Sequence, residues 1–297
     1  MPRSAALPAW ITERVPILTV VSVLFVLWYL AAFLMNAPQV RDAFERNDIK
    51  YTFSDVLTGT MNADRPVVPA PHQVVIELYD SIFGYPLNSP RNLAYHAWVT
   101  LSATLLGFAI GAVFGVVLAV LIVHVRTLEK SLLPWVICSQ MVPILAIAPI
   151  IIVVFGAIGI RGTPPKSIIS AYLCFFPVTI GMVKGLTSPD PIQLDLMRTW
   201  SANKLQVFWK LRWPSSIPFL FTSLKVSVTI SLVGAIVAEL PTGAQAGIGA
   251  RLLTGSYYGQ TVQIWAALVA AAVMATVLIA IIDLVAKLTA RRMGATA

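Results

Sequence analysis

Six long apolar runs constrain the fold of this chain more than any other feature. Each has at least the ~20 residues that a helix needs to cross a ~30 Å hydrocarbon core. Charged residues make up only 11% of the chain, far below the ~25% of ordinary soluble domains. We therefore predict an all-α, polytopic membrane protein with six transmembrane helices. The predicted spans are Pro16–Met35, Trp98–His124, Leu132–Ala157, Lys166–Leu186, Ile217–Glu239 and Thr261–Leu288.

The basic residues predict the orientation of these spans. They lie in short loops beside the apolar runs, as the positive-inside rule describes for cytoplasmic loops, and they form no single stripe that would indicate a nucleic-acid partner. The outer segment 36–97 has more acidic than basic residues. The N-terminal run is too long for the core of a signal peptide, so we expect it to remain as an anchor. Both termini are therefore predicted to be cytoplasmic.

The same pattern divides the chain into three parts. Residues 1–35 form the cytoplasmic N-terminus and first transmembrane helix, residues 36–97 a periplasmic segment with surface helices, and residues 98–297 a five-helix transmembrane core. In the outer segment, Pro71–Phe83 has apolar residues at helical spacing after two prolines, which suits a helix lying at the membrane surface. A linker with some local helix is the alternative. The core includes a polar cytoplasmic loop, residues 187–216.

The polar loop 187–216 carries the signals of two short helices joined by a tight turn. Asp190 followed by Pro191 is typical of a helix start, and Asn203 can cap a second helix that Pro214 would end. Short helices bearing aromatic and basic side chains suit insertion into a groove of a soluble partner, although an amphipathic surface helix without a partner is the alternative. The candidate contact residues are Asn203, Lys204, Leu205, Phe208, Trp209 and Arg212.

Small residues and prolines mark two further features of the spans. Gly107, Gly111 and Gly115 recur at i, i+4 and i+8, a spacing that lets two helices approach closely; a ligand contact is the alternative. Prolines interrupt the third span, and irregular backbone at membrane depth is tolerated where it is buried in protein or faces a watery cavity. Gln140, one turn before Pro143, is therefore a candidate for lining a pathway, with a hydrogen bond to a neighbouring helix as the alternative.

Charges inside the predicted spans are few, and the sequence contains no motif for catalysis. Lys225 can extend to the interface, and we expect structural roles for Glu239 and Asp283 near span ends. There is no GxxxxGK[ST] loop for ATP, and the three histidines lack the spacing of a metal site. Serines in the spans have no recognisable histidine and acid partners. We therefore predict no catalytic residue, no metal and no cofactor on this chain.

The polar loop resembles the EAA loop of permease subunits of ATP-binding-cassette importers. That pattern reads EAA, three residues, Gly, nine residues, then I-x-L-P, and here it falls on residues 195–197, Ser201 and Leu211–Pro214. Serine replaces the usual glycine at 201, where glycine would relieve a turn with positive φ. Three further stretches are similar, in this order, to the nitrate/sulfonate/taurine group of that family: Val67–Val74, Ser139–Gly156 and Ala238–Gly249.

The resemblance implies a type I importer permease of the bacterial inner membrane. It would pair with a second copy or a paralogue, and two cytoplasmic ATPase subunits would hold ATP and Mg²⁺. A periplasmic or lipid-anchored binding protein would deliver the solute. This chain would be a translocator surrounded by membrane lipid, with no chemistry of its own. The coupling residues implied for the loop are Asp195, Ser201, Asn203, Lys204, Leu205, Phe208, Trp209, Arg212 and Pro214.

Two other classes of protein are alternatives. An autonomous secondary transporter or channel would need ionisable groups near the membrane midplane, where this chain has almost none. A membrane-embedded enzyme would need converging catalytic groups at one leaflet, and the sequence does not indicate them.

The predicted pathway favours a neutral solute. Anion pathways offer arginine, lysine or helix N-termini, but the outer halves of the spans contain no such cation except Lys166 at a boundary. Thr104 occupies a position where sulfonate-type relatives carry arginine. We therefore expect a flat, hydrogen-bonding solute such as a pyrimidine-like heterocycle rather than nitrate or a sulfonate. The candidate pathway residues are Thr104, Gln140, Pro143, Tyr172 and Phe176.

Overall fold

Every regular element in the described part of the chain is a helix, which confirms the predicted all-α class. The computed structural model describes residues 9–240 and 246–293, with side chains from residue 14 onward. A five-residue π-helix, Phe208–Arg212, lies between α9 and α10. The α-helices are α1 (Ala9–Arg46), α2 (Phe53–Met61), α3 (Pro71–Phe83), α4 (Leu93–His124), α5 (Arg126–Ser139), α6 (Ile144–Ala157), α7 (Thr163–Leu186), α8 (Pro191–Thr199), α9 (Lys204–Val207), α10 (Trp213–Glu239), α11 (Ile248–Tyr257) and α12 (Thr261–Arg292).

Within the described residues, five helices are long and apolar enough to cross a membrane: α1, α4, α7, α12 and the continuous helix Lys204–Glu239. The third span Leu132–Ala157 is interrupted, as its prolines predict, because α5 and α6 meet at a bend of 95°. The break ends at Pro143, which has no N–H to donate and disfavours a helical conformation in the preceding residue. Counted as one broken span, α5 and α6 bring the total to six.

Helices α4 and α7 run in the same direction, so the chain must cross back between the end of α4 and the start of α7. Their N-terminal ends meet at Glu239, whose carboxylate accepts hydrogen bonds from Thr100 of α4 and Lys166 of α7. Since the C-terminal halves of both helices pack together at the other end, the two helices are parallel. The chain leaving α4 must therefore return before α7 begins, and α5 with α6 makes this return. The cluster at the C-terminal end contains Ala119, Cys174, Val178, Met182, Leu186 and Phe208.

The chain divides into two compact units, of which the first comprises Met1–Tyr85 and Thr254–Ala267. Asn36 of α1 holds the loop before α3, since its Nδ2 donates to Val68 O at 2.8 Å. Trp28 donates from Nε1 to Pro69 O at 3.0 Å. These side-chain bonds satisfy loop carbonyls that would otherwise be costly to bury.

Helix α3 of the first unit has the bounds predicted from the sequence, Pro71–Phe83. Val75, Ile76, Tyr79 and Phe83 are exposed on one side of it, which is the arrangement of a helix lying at a membrane surface. The division of the chain at residues 35 and 97 is a prediction about topology, and α1 runs without interruption through the first of these boundaries to Arg46.

The second unit comprises Pro86–Leu253 and Leu268–Ala297 and is built around α4, α7 and α10, each of which packs against the other two. The polar loop 187–216 joins α7 to α10 and therefore lies at the end of this three-helix core that contains Phe208. It is called the coupling segment below.

Candidate functional site

The first helix of the coupling segment, α8, begins where the sequence predicts. Asp190 is its N-cap, with Oδ1 accepting from Ile192 N at 2.9 Å, and Pro191 is the first helical residue. The second helix, α9, has a reciprocal cap in which Asn203 Oδ1 accepts from Gln206 N at 2.8 Å and Gln206 Oε1 accepts from Asn203 N at 2.9 Å. Both starts therefore rest on local side-chain to backbone bonds.

The turn between α8 and α9 has a left-handed residue at Ser201, where φ is +53°. Its flanking bonds close the end of α8, since Ser201 N donates to Arg198 O and Ala202 N to Met197 O. This is a conformation that glycine adopts at no steric cost. The chain therefore has serine in place of the glycine of the EAA pattern but adopts the backbone conformation for which glycine is suited.

The prediction that Pro214 ends the second helix is wrong. The chain passes from α9 through the π-helix Phe208–Arg212 into α10, and Trp213 N donates to Phe208 O, five residues back. Pro214 lies at the start of α10, where the wider hydrogen-bond register of a π-segment accommodates a residue without an N–H. As a result, the second half of the coupling segment is one continuous helix with a core span.

Several large apolar side chains are exposed on the coupling segment, among polar and charged ones. Ile192 on α8 is 76% exposed, Trp200 at the C-cap of α8 is 74% exposed, and Leu205 on α9 is 66% exposed. Trp209 is also exposed, at 56%. Side chains of this size are uncommon on a solvated surface without a partner when they form a contiguous group. Lys204 and Asp195 are exposed among them.

Phe208, which the sequence analysis lists among the candidate contact residues, does not belong to this exposed group. It is 8% exposed and packs in the hydrophobic cluster of the core. Its ring centroid lies 5.1 Å from that of His124 at the end of α4. The spacing of Leu205, Phe208 and Trp209 in the sequence does not show which of them faces the core, and the packing against α4 and α7 buries Phe208. Arg212 and Pro214 are half-buried beside it.

A cavity of about 410 Å³ opens between the end of α4 and the coupling segment. Trp209 and Leu205 lie on one side of it, and the edge of Phe208 forms part of its lining. Its walls are almost entirely apolar, so the cavity suits an aliphatic or aromatic side chain from another protein. The full lining is Val120, His124, Lys204, Leu205, Phe208 and Trp209.

The structure brings together four of the five predicted pathway residues. The Tyr172 hydroxyl of α7 donates to Ser139 O, at the break between α5 and α6. Gln140 follows directly and is half-buried, and Pro143 is exposed at the start of α6. Phe176 lies one turn from Tyr172 on the same helix and is also half-buried. The break in the third span is thus held to α7 by a tyrosine.

Thr104 lies elsewhere, which corrects its predicted place in the pathway. It is fully buried, and its hydroxyl donates to Thr100 O at 2.8 Å. Its carbonyl accepts from Ser231 Oγ of α10 at 3.0 Å. Thr104 therefore lies in the contact between α4 and α10, where no solute could reach it in this structure.

The stripe Gly107, Gly111 and Gly115 lies directly against α7. A Cβ added at Gly107 would come 2.6 Å from Ser167 O, and a Cβ at Gly111 or Gly115 would come 2.7 Å from a carbonyl oxygen of α7. Real Cβ atoms do not approach so closely, so these positions allow the two backbones to meet in a way that a larger residue would prevent. All three glycines are buried.

A buried polar cluster at the other end of the core escaped the sequence reasoning. Glu239 and Lys166 are both buried, and Lys166 Nζ lies 3.1 Å from Glu239 Oε1. Glu239 Oε2 also accepts from Thr100 Oγ1 at 2.9 Å and from Gly249 N at 2.9 Å. Lys166 donates in addition to Ala246 O at 2.9 Å. The predicted cation at the outer boundary is therefore already paired inside the chain.

The same cluster fixes the segment 246–249 before α11. Gly247 N donates to His96 Nδ1 at 3.0 Å, and Ile248 N donates to Thr100 Oγ1 at 2.8 Å. A lysine and a glutamate at span ends were visible in the sequence, but their pairing across 73 residues was not. The remainder of the predicted motif Ala238–Gly249, residues 241–245, lies outside the described residues.

Another ion pair joins the middle of α10 to the C-terminal part of α12. Lys225 pairs with Asp283, whose second oxygen lies 2.9 Å from Lys287 Nζ. Asp283 and Lys287 have the i,i+4 spacing, acid before base, that favours an ion pair along one helix. The sequence analysis expects Lys225 to extend to the membrane interface, but in the structure Lys225 pairs with Asp283 of a neighbouring helix. All three side chains are partly exposed.

These features define a class of protein, an all-helical membrane protein in which a segment of short, capped helices joins two helices of the core. The sequence profile of the family described as the inner membrane component of binding-protein-dependent transport systems matches residues 111–295. The chain belongs to this family, the permease subunits of ATP-binding-cassette importers, as the EAA-like loop predicts.

Three curated relatives illustrate the family. The chain is 31% identical over 186 residues to a formylaminopyrimidine transport permease of Halalkalibacterium halodurans, covering 62% of this chain and 68% of the relative. It is 28% identical over 225 residues to a riboflavin transport system permease of Chloroflexus aurantiacus, covering 76% and 80%. It is 26% identical over 219 residues to a putative aliphatic sulfonates transport permease of Bacillus subtilis, covering 74% and 75%.

Proposed function

We propose that this chain is the translocating subunit of its importer and that the coupling segment receives the closing motion of a cytoplasmic ATPase. The observation that carries this proposal is the group of exposed apolar side chains of the coupling segment, which includes Trp200, Leu205 and Trp209. Because α9 continues without a break into α10, a displacement of this group would act directly on a core helix. ATP hydrolysis itself takes place on a separate chain.

The proposed complex contains two ATPase subunits, which hold ATP and Mg²⁺, and a second permease that is a copy or a paralogue. A periplasmic or lipid-anchored binding protein delivers the solute on the other side of the inner membrane. Both termini are cytoplasmic in this arrangement, residues 36–97 are periplasmic, and membrane lipid covers the apolar faces of the spans. The exposed side of α3 then lies in the outer interface, where tyrosine is a common anchor.

Co-purification of the ATPase tests the docking role. We expect the double variant Trp200→Ala, Trp209→Ala to lower recovery of the ATPase roughly tenfold or more, because aromatic anchors dominate docking energy. The matched control is Trp98→Ala, an equally exposed tryptophan at the opposite end of α4, which should leave recovery unchanged. Wild-type recovery with the double variant would remove the coupling segment from the interface.

The solute pathway is proposed to pass the break between α5 and α6. Tyr172, Gln140 and Phe176 offer hydroxyl, amide and aromatic groups there, the types that orient a flat, polar ring. Pro143 keeps this backbone irregular, so main-chain groups are available to a passing solute. Tyr172→Phe should raise the KM for uptake while the amount of assembled complex stays constant.

The favoured solute is a neutral, pyrimidine-like heterocycle rather than nitrate or a sulfonate. Two findings support this choice: Lys166 is occupied by Glu239 and offers no free charge to an anion, and the relatives named above include permeases for a formylaminopyrimidine and for riboflavin. Competition of uptake by unlabelled pyrimidines and by alkanesulfonates separates the two classes. Competition by sulfonates alone would overturn the choice of solute but not the role as a permease.

A further inference from the structure

We propose that Glu239 and Lys166 form a positioning pair that fastens the end of the core opposite the coupling segment. This inference rests on the proposed function. We infer that a movement received at α9 reaches the opposite end of the core only because the bonds of Glu239 hold α4, α7, α10 and α11 together there. Without these bonds, the helices would absorb the movement by sliding against each other.

The geometry that motivates the proposal is the convergence of four helices on one carboxylate. Glu239 is the last residue of α10, and its two oxygens accept from Lys166 of α7, Thr100 of α4 and Gly249 of α11. No pair of these helices is adjacent in sequence through a short loop except α10 and α11. The carboxylate therefore supplies a connection that the chain itself does not provide.

The contacts of Glu239 fix one arrangement of these four helices at this end of the core. Glu239 is 0% and Lys166 8% exposed, and a buried charge that loses its partner is strongly disfavoured. Close packing adds a steric limit, since a Cβ at Gly249 would meet Glu239 Cβ at 2.7 Å. A small relative shift of these helix ends would break several bonds at once, so the end moves as one body or the cluster comes apart.

Among the described residues, the middle of the core has interhelical hydrogen bonds but no buried ion pair. Along the glycine stripe, α4 meets α7 through glycine, alanine, serine and backbone atoms, and such contacts are largely non-directional packing. Ser170 Oγ lies 2.6 Å from both Ser231 O and Ser231 Oγ, and Ser231 Oγ donates to Thr104 O at 3.0 Å. These bonds join α4, α7 and α10, but they are made by neutral hydroxyl and carbonyl groups. Helices that meet through small residues can slide over short distances, and the Glu239 cluster is what prevents this at one end.

The experiment uses the complete transport complex in proteoliposomes and measures two rates, solute uptake and ATP hydrolysis. Lys166→Met with Glu239→Gln removes both charges while keeping side chains of similar length, which avoids an unpaired buried charge. We expect uptake per ATP hydrolysed to fall roughly tenfold, the size of a typical coupling change between sites, with ATP hydrolysis close to wild type. Lys166→Arg keeps the ion pair and should keep the wild-type ratio.

The matched control removes the other interhelical pair, with Lys225→Met and Asp283→Asn. That pair also joins a lysine to a carboxylate across two helices, but it is partly exposed and joins only α10 and α12, so the ratio should stay at the wild-type value. Equal ratios for the wild type and the Lys166 and Glu239 double variant would overturn the positioning role. So would a parallel loss of both rates, in proportion to lost complex, which would indicate a purely structural pair.

The outcome also separates this inference from the proposed function. If the wild-type complex hydrolyses ATP and takes up solute, the proposed function stands whatever the variant does. If the wild type shows no ATP-dependent uptake, the proposed function fails first and the ratio has no value to compare.

Discussion

The two ends of the α4–α7–α10 core are held by different chemistry. At one end, buried charges and directed hydrogen bonds meet at Glu239. At the other, the Phe208 ring packs 5.1 Å from His124 and 5.9 Å from Trp213, beside an open cavity of about 410 Å³. Paired buried charges tolerate one geometry, whereas apolar contacts are non-directional and can repack. The core is therefore fixed at one end and adaptable at the end that the coupling segment joins.

The largest effect on stability is expected from replacing a buried aromatic residue at the Phe208 end of the core, compared with replacing an exposed one. Phe208→Ala removes a ring from the core cluster and should lower the free energy of unfolding by about 3 kcal/mol. Trp209→Ala, one residue on, removes a ring that is 56% exposed but contacts Phe208 and Trp213, and it should cost less, about 1 kcal/mol. Equilibrium unfolding of the permease in mixed micelles measures both. Equal losses would mean that the buried and exposed sides of this end are not distinct.

The contact between the two ends is tested by overpacking it. Gly107→Val places a branched side chain against Ser170 and Ser167 of α7, and it should lower the free energy of unfolding by about 2 kcal/mol or more. The same substitution at Gly156, where no heavy atom lies within 4 Å of an added Cβ, is the control. A Gly107→Val protein as stable as the Gly156→Val protein would show that α4 and α7 do not approach this closely.

Sequence reasoning succeeded at the adaptable end wherever a structural signal was local. Asp190 with Pro191 and Asn203 with Gln206 are cap signals contained within a few residues, and both helix starts lie as predicted. The bounds of α3, Pro71–Phe83, followed from its prolines and apolar spacing in the same way.

Sequence reasoning failed where the structure depends on tertiary contacts or on a choice between α-helical and π-helical hydrogen bonding. Proline ordinarily ends a helix, and no local signal announced that a π-helix would carry the chain past Pro214. The fixed end was missed because Lys166 and Glu239 are far apart in sequence and only the packing of α7 against α10 brings them together. Thr104 was misplaced for the same reason, since a hydroxyl in a helix gives no sign of which side is buried.

A smaller effect is expected at the turn between α8 and α9. Ser201 has a φ of +53°, where a β-branched side chain is strained, so Ser201→Val should cost about 1–2 kcal/mol. Ser201→Gly should keep both stability and uptake at or above wild type. Ala202→Val, beside it and without a positive φ, is the control. Unfolding in micelles together with uptake measures these variants, and equal behaviour of the valine and glycine variants at 201 would show that the turn is unstrained.

The smallest effect is expected at the surface ion pair of α8, which lies at the adaptable end but contrasts with Glu239. Asp195 Oδ1 lies 2.7 Å from Arg198 Nη1, with the two side chains 66% and 80% exposed. Water screens such a pair, so Asp195→Asn should change the free energy of unfolding by less than about 0.5 kcal/mol. Arg198→Gln should do the same, and the two losses should be equally small at low and high salt. Since Asp195 stands at the glutamate position of the EAA pattern, its part in docking is a separate question. A loss of ATPase recovery with Asp195→Asn, at unchanged stability, would assign the carboxylate to the partner. A stability loss of several kcal/mol would instead mean that this end of the core depends on fixed charges as Glu239 does, and the contrast between the two ends would not hold.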